Sequence, residues 1–384
     1  MAFSGGATRD LPWPKAHGDL QNTGQGIGPP ARGTVEWTFR AGHQIHGGAV
    51  VGRDGVVYIG AWDKRFYAIE PRRGKALWSF RAPGCFETPA ALAPDGTVYA
   101  GTVNITDLTG VYMLEKALVL NTQWDPDQLY AIDGRNGKKR WSRWYSVVGL
   151  TVAPELGMVL FGHDPSLLVA LDMHSGHKKW SLVIDRDGSV TGTPAVDANG
   201  TAYVSGRPRD LSHVWVLAVD SLKGRTLWRI RLESYLASSP VVGPAGVIYV
   251  STRDDIFALD AKTGQQRWSS GYGGGGITPA VGHDGTVYAG LQGLTALDGR
   301  TGRPSWTFRQ PVTSSIVIAG DGTVYFGTIR DGGNHPQDYG LCALDHRSGR
   351  EKWFVDNVPV GGSLAIGGDG KVYGLCRGLL YAFG

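Results

Sequence analysis

The chain has 384 residues, with 38 Lys and Arg against 34 Asp and Glu. A formal charge of +4 spread over that length does not supply the basic stripe that a nucleic-acid backbone requires, so nucleic acid is not an expected partner. With 58 Gly beside 13 Trp, 15 Tyr and 11 Phe, the composition excludes disorder and suits short strands joined by tight turns. No run of 18 apolar residues occurs, so no membrane-spanning helix is predicted.

Residues 1–32 read as a lead-in segment before a single repeat-built domain over 33–384. The first residues lack the basic-then-apolar signature of a secretory signal. A cytoplasmic protein is expected, or a periplasmic or extracellular one if a signal has been removed. From Gly33 onward one pattern recurs. A Gly stands four residues before Trp37, Trp78, Trp141, Trp180, Trp228, Trp268, Trp306 and Trp353. Seven of these extend backwards into A-x-[DE]-x-x-x-G-x-x-x-W, as in Ala131, Asp133, Gly137 and Trp141. The Trp lie 41, 63, 39, 48, 40, 38 and 47 residues apart, about the length of a four-stranded propeller blade. The sixth unit shows the four strands: Thr278–Gly282, an Asp284-Gly285 turn, Thr286–Gly290, Leu294–Asp298, and a last strand carrying Trp306. Asp-Gly and Thr-Gly supply the tight turns.

The first Gly33–Trp37 strand has no three strands before it, and the last unit, Ser363–Gly384, ends without its Trp strand. The two fragments together make one blade. The predicted fold is therefore all-β: a single eight-bladed propeller of four-stranded antiparallel blades, closed by the N-terminal strand joining the C-terminal blade. The eight motif Trp are expected to be structural wedges between blades.

Connectivity sorts the loops onto two faces. Turns between strands one and two, and three and four, share one face and are short. Loops between strands two and three, and between blades, lie on the other and vary in length. From second-strand Tyr to third-strand Ala is 8 residues in blade six, 15 in blade four (Tyr203 to Ala218), 18 in blade seven (Tyr325 to Ala343) and 32 in blade two (Tyr99 to Ala131). Function is expected on this long-loop face, because variable loops on a rigid scaffold carry recognition.

Along that face the candidate binding residues are His43, Trp124, Asp125, Asp127, His213, Asp331, His335 and Asp338. Trp124 with its flanking acids, in the Thr102–Gln128 insertion, suits a partner or a cationic ligand. His46, Glu87 and Tyr235 each precede a first strand and are the candidates for acid–base work, if their side chains meet at the ring axis. His174-x-x-His177 falls on a short turn and reads as solvated. Asp185-Arg-Asp187-Gly188 begins like a calcium loop but lacks its later acidic ligand. Cys85, Cys342 and Cys376 form no adjacent or C-x-x-C pair, so buried or lone thiols are expected.

The repeated A-x-D-x-x-x-G-x-x-x-W resembles the tryptophan-docking motif of the eight-bladed quinoprotein (PQQ-dependent) alcohol dehydrogenases and their PQQ-like relatives, over Gly33 to Gly384. Trp13-Pro14, Asp19 and Asn22-Thr23-Gly24 resemble the lead-in of such proteins. In the dehydrogenases the resemblance implies PQQ over a Trp floor, a disulfide of adjacent Cys, calcium and an Asp base. Here the adjacent Cys pair is absent, and no position matches the calcium or base residues. PQQ and calcium are therefore not expected. The relatives include the propeller lipoprotein of the outer-membrane β-barrel assembly machine, which binds protein without chemistry, and the chain looks closer to that type. The reading is a monomeric, non-catalytic binding or scaffold propeller offering its long-loop face to a protein or small ligand. The alternative is an enzyme with a small-molecule site at the channel mouth; a PQQ-dependent dehydrogenase ranks below both.

Overall fold

The structure, a computed structural model, describes residues 11–103, 127–163, 166–330 and 338–384. Eight antiparallel sheets form eight blades. Seven sheets have four strands, and that of blade two has a fifth from Cys85–Phe86. The strand Val35–Arg40 pairs with Leu379–Phe383, and Thr34 and Gly384 exchange backbone hydrogen bonds of 3.1 and 2.9 Å. The ring is closed as the two chain fragments predict.

Each letter of the repeat has a physical task. Ala lies directly across the sheet from Trp in all eight blades, as in Ala68 and Trp78 or Ala258 and Trp268. Its small side chain leaves room for the indole. The motif carboxylate caps the turn that follows: Asp260 accepts from the backbone N–H of Lys262 and of Thr263 at 3.0 Å each. Every motif Gly has φ between +65° and +85° except Gly224 at +63°, and the Trp of the preceding blade lies flat against it. A Cβ there would sit 2.4–2.9 Å from the ring.

The indole also binds. Trp228 donates to Ala261 O at 2.8 Å, Trp268 to Gly299 O at 3.0 Å, and Trp353 to Ala31 O at 3.1 Å across the closure. All eight motif Trp repeat this bond to the three–four turn of the next blade. A second-strand Tyr packs on each Trp at 5.5–6.0 Å, except in blade three, where Leu160 holds that register. The wedges thus combine apolar burial with one directed bond per blade. Between them lie apolar clusters such as Tyr249, Val287 and Leu297, each sealed between neighbouring sheets.

The lead-in segment does something the repeat does not forecast. First strands face the axis with an unpaired edge, and residues 13–28 run past those edges in ring order. Val51 N–H donates to Trp13 O, Leu92 to Pro14, Val196 to Leu20, Val242 to Gln21, Val281 to Thr23 and Ile318 to Gly24, at 2.7–2.8 Å. Gly28 then packs on Gly367 and Gly370 of blade eight. Backbone bonds to six of the eight blades satisfy groups that would otherwise be buried without partners; among the described residues blade three receives none, and blade eight is met by packing alone. This belt lies at the short-turn end of the axis, because each first-strand partner sits just before a one–two turn.

Candidate binding face

The belt folds around a buried polar knot. Lys15 is 1% exposed; its ammonium donates to the Asn22 side-chain oxygen, to Asp19 O at 3.1 Å and to Pro194 O at 3.5 Å. Asn22, wholly buried with φ +63°, donates to Thr193 O at 2.9 Å and Pro240 O at 2.8 Å. His17 Nε2 faces the hydroxyls of Thr278 and Ser239 at 3.3 and 3.4 Å. Burial draws Lys15 down to about 7, partly offset by the Asp19 charge. It draws His17 down to about 3, with the Lys15 charge acting the same way. Asp19 is pushed up by burial against its bonds from Thr23. Sequence reading assigned Lys15 and His17 no role. The only hint was their place between Trp13 and Asn22-Thr23-Gly24.

At the other end of the axis lie the crossovers between blades and the described two–three loops. His46 is exposed, stacks on Trp62 at 4.3 Å, and pairs through Nε2 with Gln44 Oε1 at 2.8 Å. His43 stacks on the same indole at 6.0 Å. Trp62 is 8% exposed, and its Nε1, His43 Nδ1 and the nearby Thr88 Oγ1 are buried without a hydrogen-bond partner among the described residues. The crossover holding His46 packs on blade two, since a Cβ on Gly47 would meet Thr88 and Pro89. Cys85 donates its thiol to Trp62 O at 3.2 Å and is pushed up by burial, with Glu87 among the nearby charges. Glu87 is half-buried. His43, His46, Trp62, Thr88 and Glu87 therefore gather where blades one and two meet.

Tyr235 belongs to a different crossover, the one that enters blade five. It stands 42% exposed before blade five, with Arg253 5.5 Å over its ring and its carbonyl accepting from Arg207 at 3.4 Å. His213, 9% exposed, bonds Ser212 through Nδ1 at 2.7 Å, meets Trp215 edge-on at 4.3 Å, and leaves Nε2 without a partner. Arg229 lies 3.7 Å over Trp215, and Asp185 accepts from both, at 3.1 Å from Arg229 and 2.9 Å from Trp215. The Asp185 segment thus serves an aromatic–cation stack. Asp127 and Asp338 lie at the ends of their insertions, and Asp338 O accepts from Arg330 N at 2.7 Å. Trp124, Asp125, Asp331 and His335 lie outside the described residues.

Exposed apolar residues mark the same face in an arc: Trp144 at 62%, Val183 at 58%, Leu211 at 44%, Tyr235 at 42% and Leu291 at 37%. The three Cys are unpaired, Cys85 and Cys342 buried and Cys376 partly so. Among the described residues no group of three or more His, Cys, Asp or Glu is close enough to hold a metal ion. No helix among them is long and apolar enough to cross a membrane.

The family described as outer membrane protein assembly factor BamB matches residues 29–214 and 212–356. The chain belongs to that family. It is also 34% identical over 85 residues to the lanthanide-dependent methanol dehydrogenase of Methylacidiphilum fumariolicum (strain SolV). That stretch covers 22% of this chain and 14% of the enzyme. Solved structures share the fold. The quinohemoprotein alcohol dehydrogenase of Comamonas testosteroni superposes with a TM-score of 0.74 at 15% identity, over 99% of this chain and 81% of that one. A europium-containing methanol dehydrogenase gives 0.73 at 14%, over 95% and 89%. BamB from Moraxella catarrhalis gives 0.51 at 17%, over 94% of each. At these identities the structural likeness establishes the propeller alone.

Proposed function

We propose that this BamB-family propeller is a non-catalytic binding protein whose long-loop face receives a protein partner. The observation that carries the reading is the arc from Trp144 to Leu291, where aliphatic and aromatic side chains stand exposed. Beside it lie the cation–aromatic stacks Arg253–Tyr235 and Arg229–Trp215. Exposed aromatics with Arg are the residue types that dominate protein interfaces. The family description, an assembly factor for outer membrane proteins, supports a protein partner and a periplasmic place of work.

The described residues give no support to a PQQ and calcium site. The described Cys are separate from one another, and Lys15, His17 and Asn22 are spent on holding the belt. One observation favours a second reading, a small-molecule site: the unpartnered buried atoms of His43, Trp62 and Thr88 beside exposed His46.

The test is site-specific photo-crosslinking in cells from positions 144, 235 and 291, against positions on outer strands at the short-turn end. Crosslinks to one partner from the first set are expected, and they should vanish in a Trp144→Ser, Tyr235→Ser, Leu291→Ser variant that melts like the parent. Crosslinks only from the second set, or loss only in His46→Ala, would overturn the protein-docking reading.

A further inference from the structure

The net charge of +4 conceals a separation. In each copy of the repeat the nine residues that end in the motif Trp form the three–four turn and the start of the outer strand. The segments are 29–37, 70–78, 133–141, 172–180, 220–228, 260–268, 298–306 and 345–353. They hold nineteen Lys and Arg against nine Asp and Glu, nineteen minus nine being +10, so the rest of the chain carries the compensating −6. Every one of these basic residues is exposed. Because the segments have equal length and sit on short turns of one face, their charges form a flat ring around the rim of the short-turn face.

Most of that charge is unspent. The motif carboxylates cap turn N–H groups, as Asp172 does those of His174 and Ser175, and four of them also pair with rim bases: Asp133 with Arg135 and Arg140, Asp172 with Lys179, Asp220 with Arg225 and Asp260 with Arg267. Among the described residues Arg72, Arg73, Lys138, Lys139, Lys178 and Lys223 make no ion pair. Inside the rim a second ring, from the one–two turns, carries acids that include Asp54, Asp95, Asp197, Asp284, Asp321 and Asp369. These too accept N–H groups of their own turns, and some neutralise a rim residue, as Asp95 does Arg140 at 2.8 Å. The face as a whole stays positive, with the excess at its edge.

We propose that this face docks on a bilayer surface bearing anionic headgroups. A broad planar ring of unpaired Lys and Arg complements a planar field of phosphate charge, where each basic side chain near the surface adds to the attraction. Exposed aliphatic side chains stand among the charges: Leu222 at 57%, on a turn tip beside Lys223, with Leu77 at 54% and Leu227 at 49%. They suit shallow contact with a lipid interface. A nucleic acid would call instead for a basic groove with free aromatic faces. Here the rim aromatics are the motif Trp, committed to blade packing. The surface lies opposite the long-loop face, so a molecule lying on a membrane this way holds its variable loops away from it.

The experiment is co-sedimentation of the whole protein with phosphatidylglycerol-containing vesicles and with pure phosphatidylcholine vesicles, over a salt series. Binding to the anionic vesicles is expected, falling steeply with salt, with little binding to phosphatidylcholine. A variant carrying Arg72→Gln, Arg73→Gln, Lys138→Gln, Lys139→Gln, Lys178→Gln and Lys223→Gln should melt like the parent and lose at least about a hundredfold in affinity, up to roughly ten-thousandfold if all six side chains reach the surface. Arg209→Gln with Arg231→Gln, on the other face, should leave vesicle binding unchanged. Equal binding to both lipids, or full binding by the six-site variant, would overturn the proposal. So would an oligonucleotide that binds the protein more tightly than the vesicles do and strips it from them. The long-loop crosslinks are read on a separate surface and are untouched by any of these results.

Discussion

Asn22 is one residue on which the belt turns, and replacing it by Ala tests the whole axial arrangement. The amide nitrogen bonds two buried carbonyls, Thr193 O and Pro240 O, at 2.9 and 2.8 Å. Its oxygen accepts from the Lys15 ammonium. Each lost neutral bond removes about 0.5–1.5 kcal/mol, and an ammonium deprived of a buried acceptor loses about 1.5–3 kcal/mol. Ala must also hold a left-handed φ near +63°, at roughly 1 kcal/mol. Together the loss should be about 4–6 kcal/mol. Urea unfolding followed by Trp fluorescence measures it, with the slope checked so that a change in the unfolded state is not mistaken for the effect. A Lys15→Met partner completes the cycle: with the cation gone, Asn22→Ala should cost roughly 2 kcal/mol less than in the parent. A loss below about 1 kcal/mol, or strict additivity of the two changes, would show that the knot holds nothing.

Two further results are expected. Gly264→Ala and Gly96→Ala both impose a positive φ, +72° and +81°, but only the first drives a Cβ to 2.7 Å from the Trp228 ring, while Gly96 has no atom within 4 Å. Differential scanning calorimetry should find Gly96→Ala lower by about 1 kcal/mol and Gly264→Ala by at least twice that; equal losses would remove the wedge argument. His17, drawn from 6.5 down to about 3, contributes stability that is present above pH 6.5 and is lost as pH falls through that window, because the unfolded chain takes the proton first. From pH 6.5 to 5 the parent should lose about 2 kcal/mol more than His17→Asn, and parallel curves would place the imidazole in water.

Much of the fold was legible because the repeat states it eight times. Ala, Asp, Gly and Trp are each fixed by one contact: across the strand, within the turn, or against the preceding blade. The closure was legible from two incomplete units. The belt was not, because it occurs once, works mainly through backbone groups, and places Lys15 and His17 in surroundings supplied by residues some two hundred positions away. The mouth was legible only as a direction. Loop lengths pointed to the face, but Trp62, which gathers His43 and His46, sits in a short blade-one loop that length alone would pass over. Charge counting over the whole chain likewise hid the rim, since opposite excesses on different parts of the fold cancel in the sum.

The belt also sets a schedule. Its residues leave the ribosome before the blades, yet Trp13 needs Val51, Gln21 needs Val242 and Gly24 needs Ile318. At synthesis rates of roughly 5–20 residues per second, the interval between making Gly24 and making its last partner is about 15–60 s. Blades appear in the order in which the belt meets them, so each new sheet finds its place already marked by the segment that preceded it. A newborn chain therefore carries a strip of unpaired N–H and C=O groups for most of its synthesis. Whatever shelters that strip, or fails to, decides how many chains reach the closed ring.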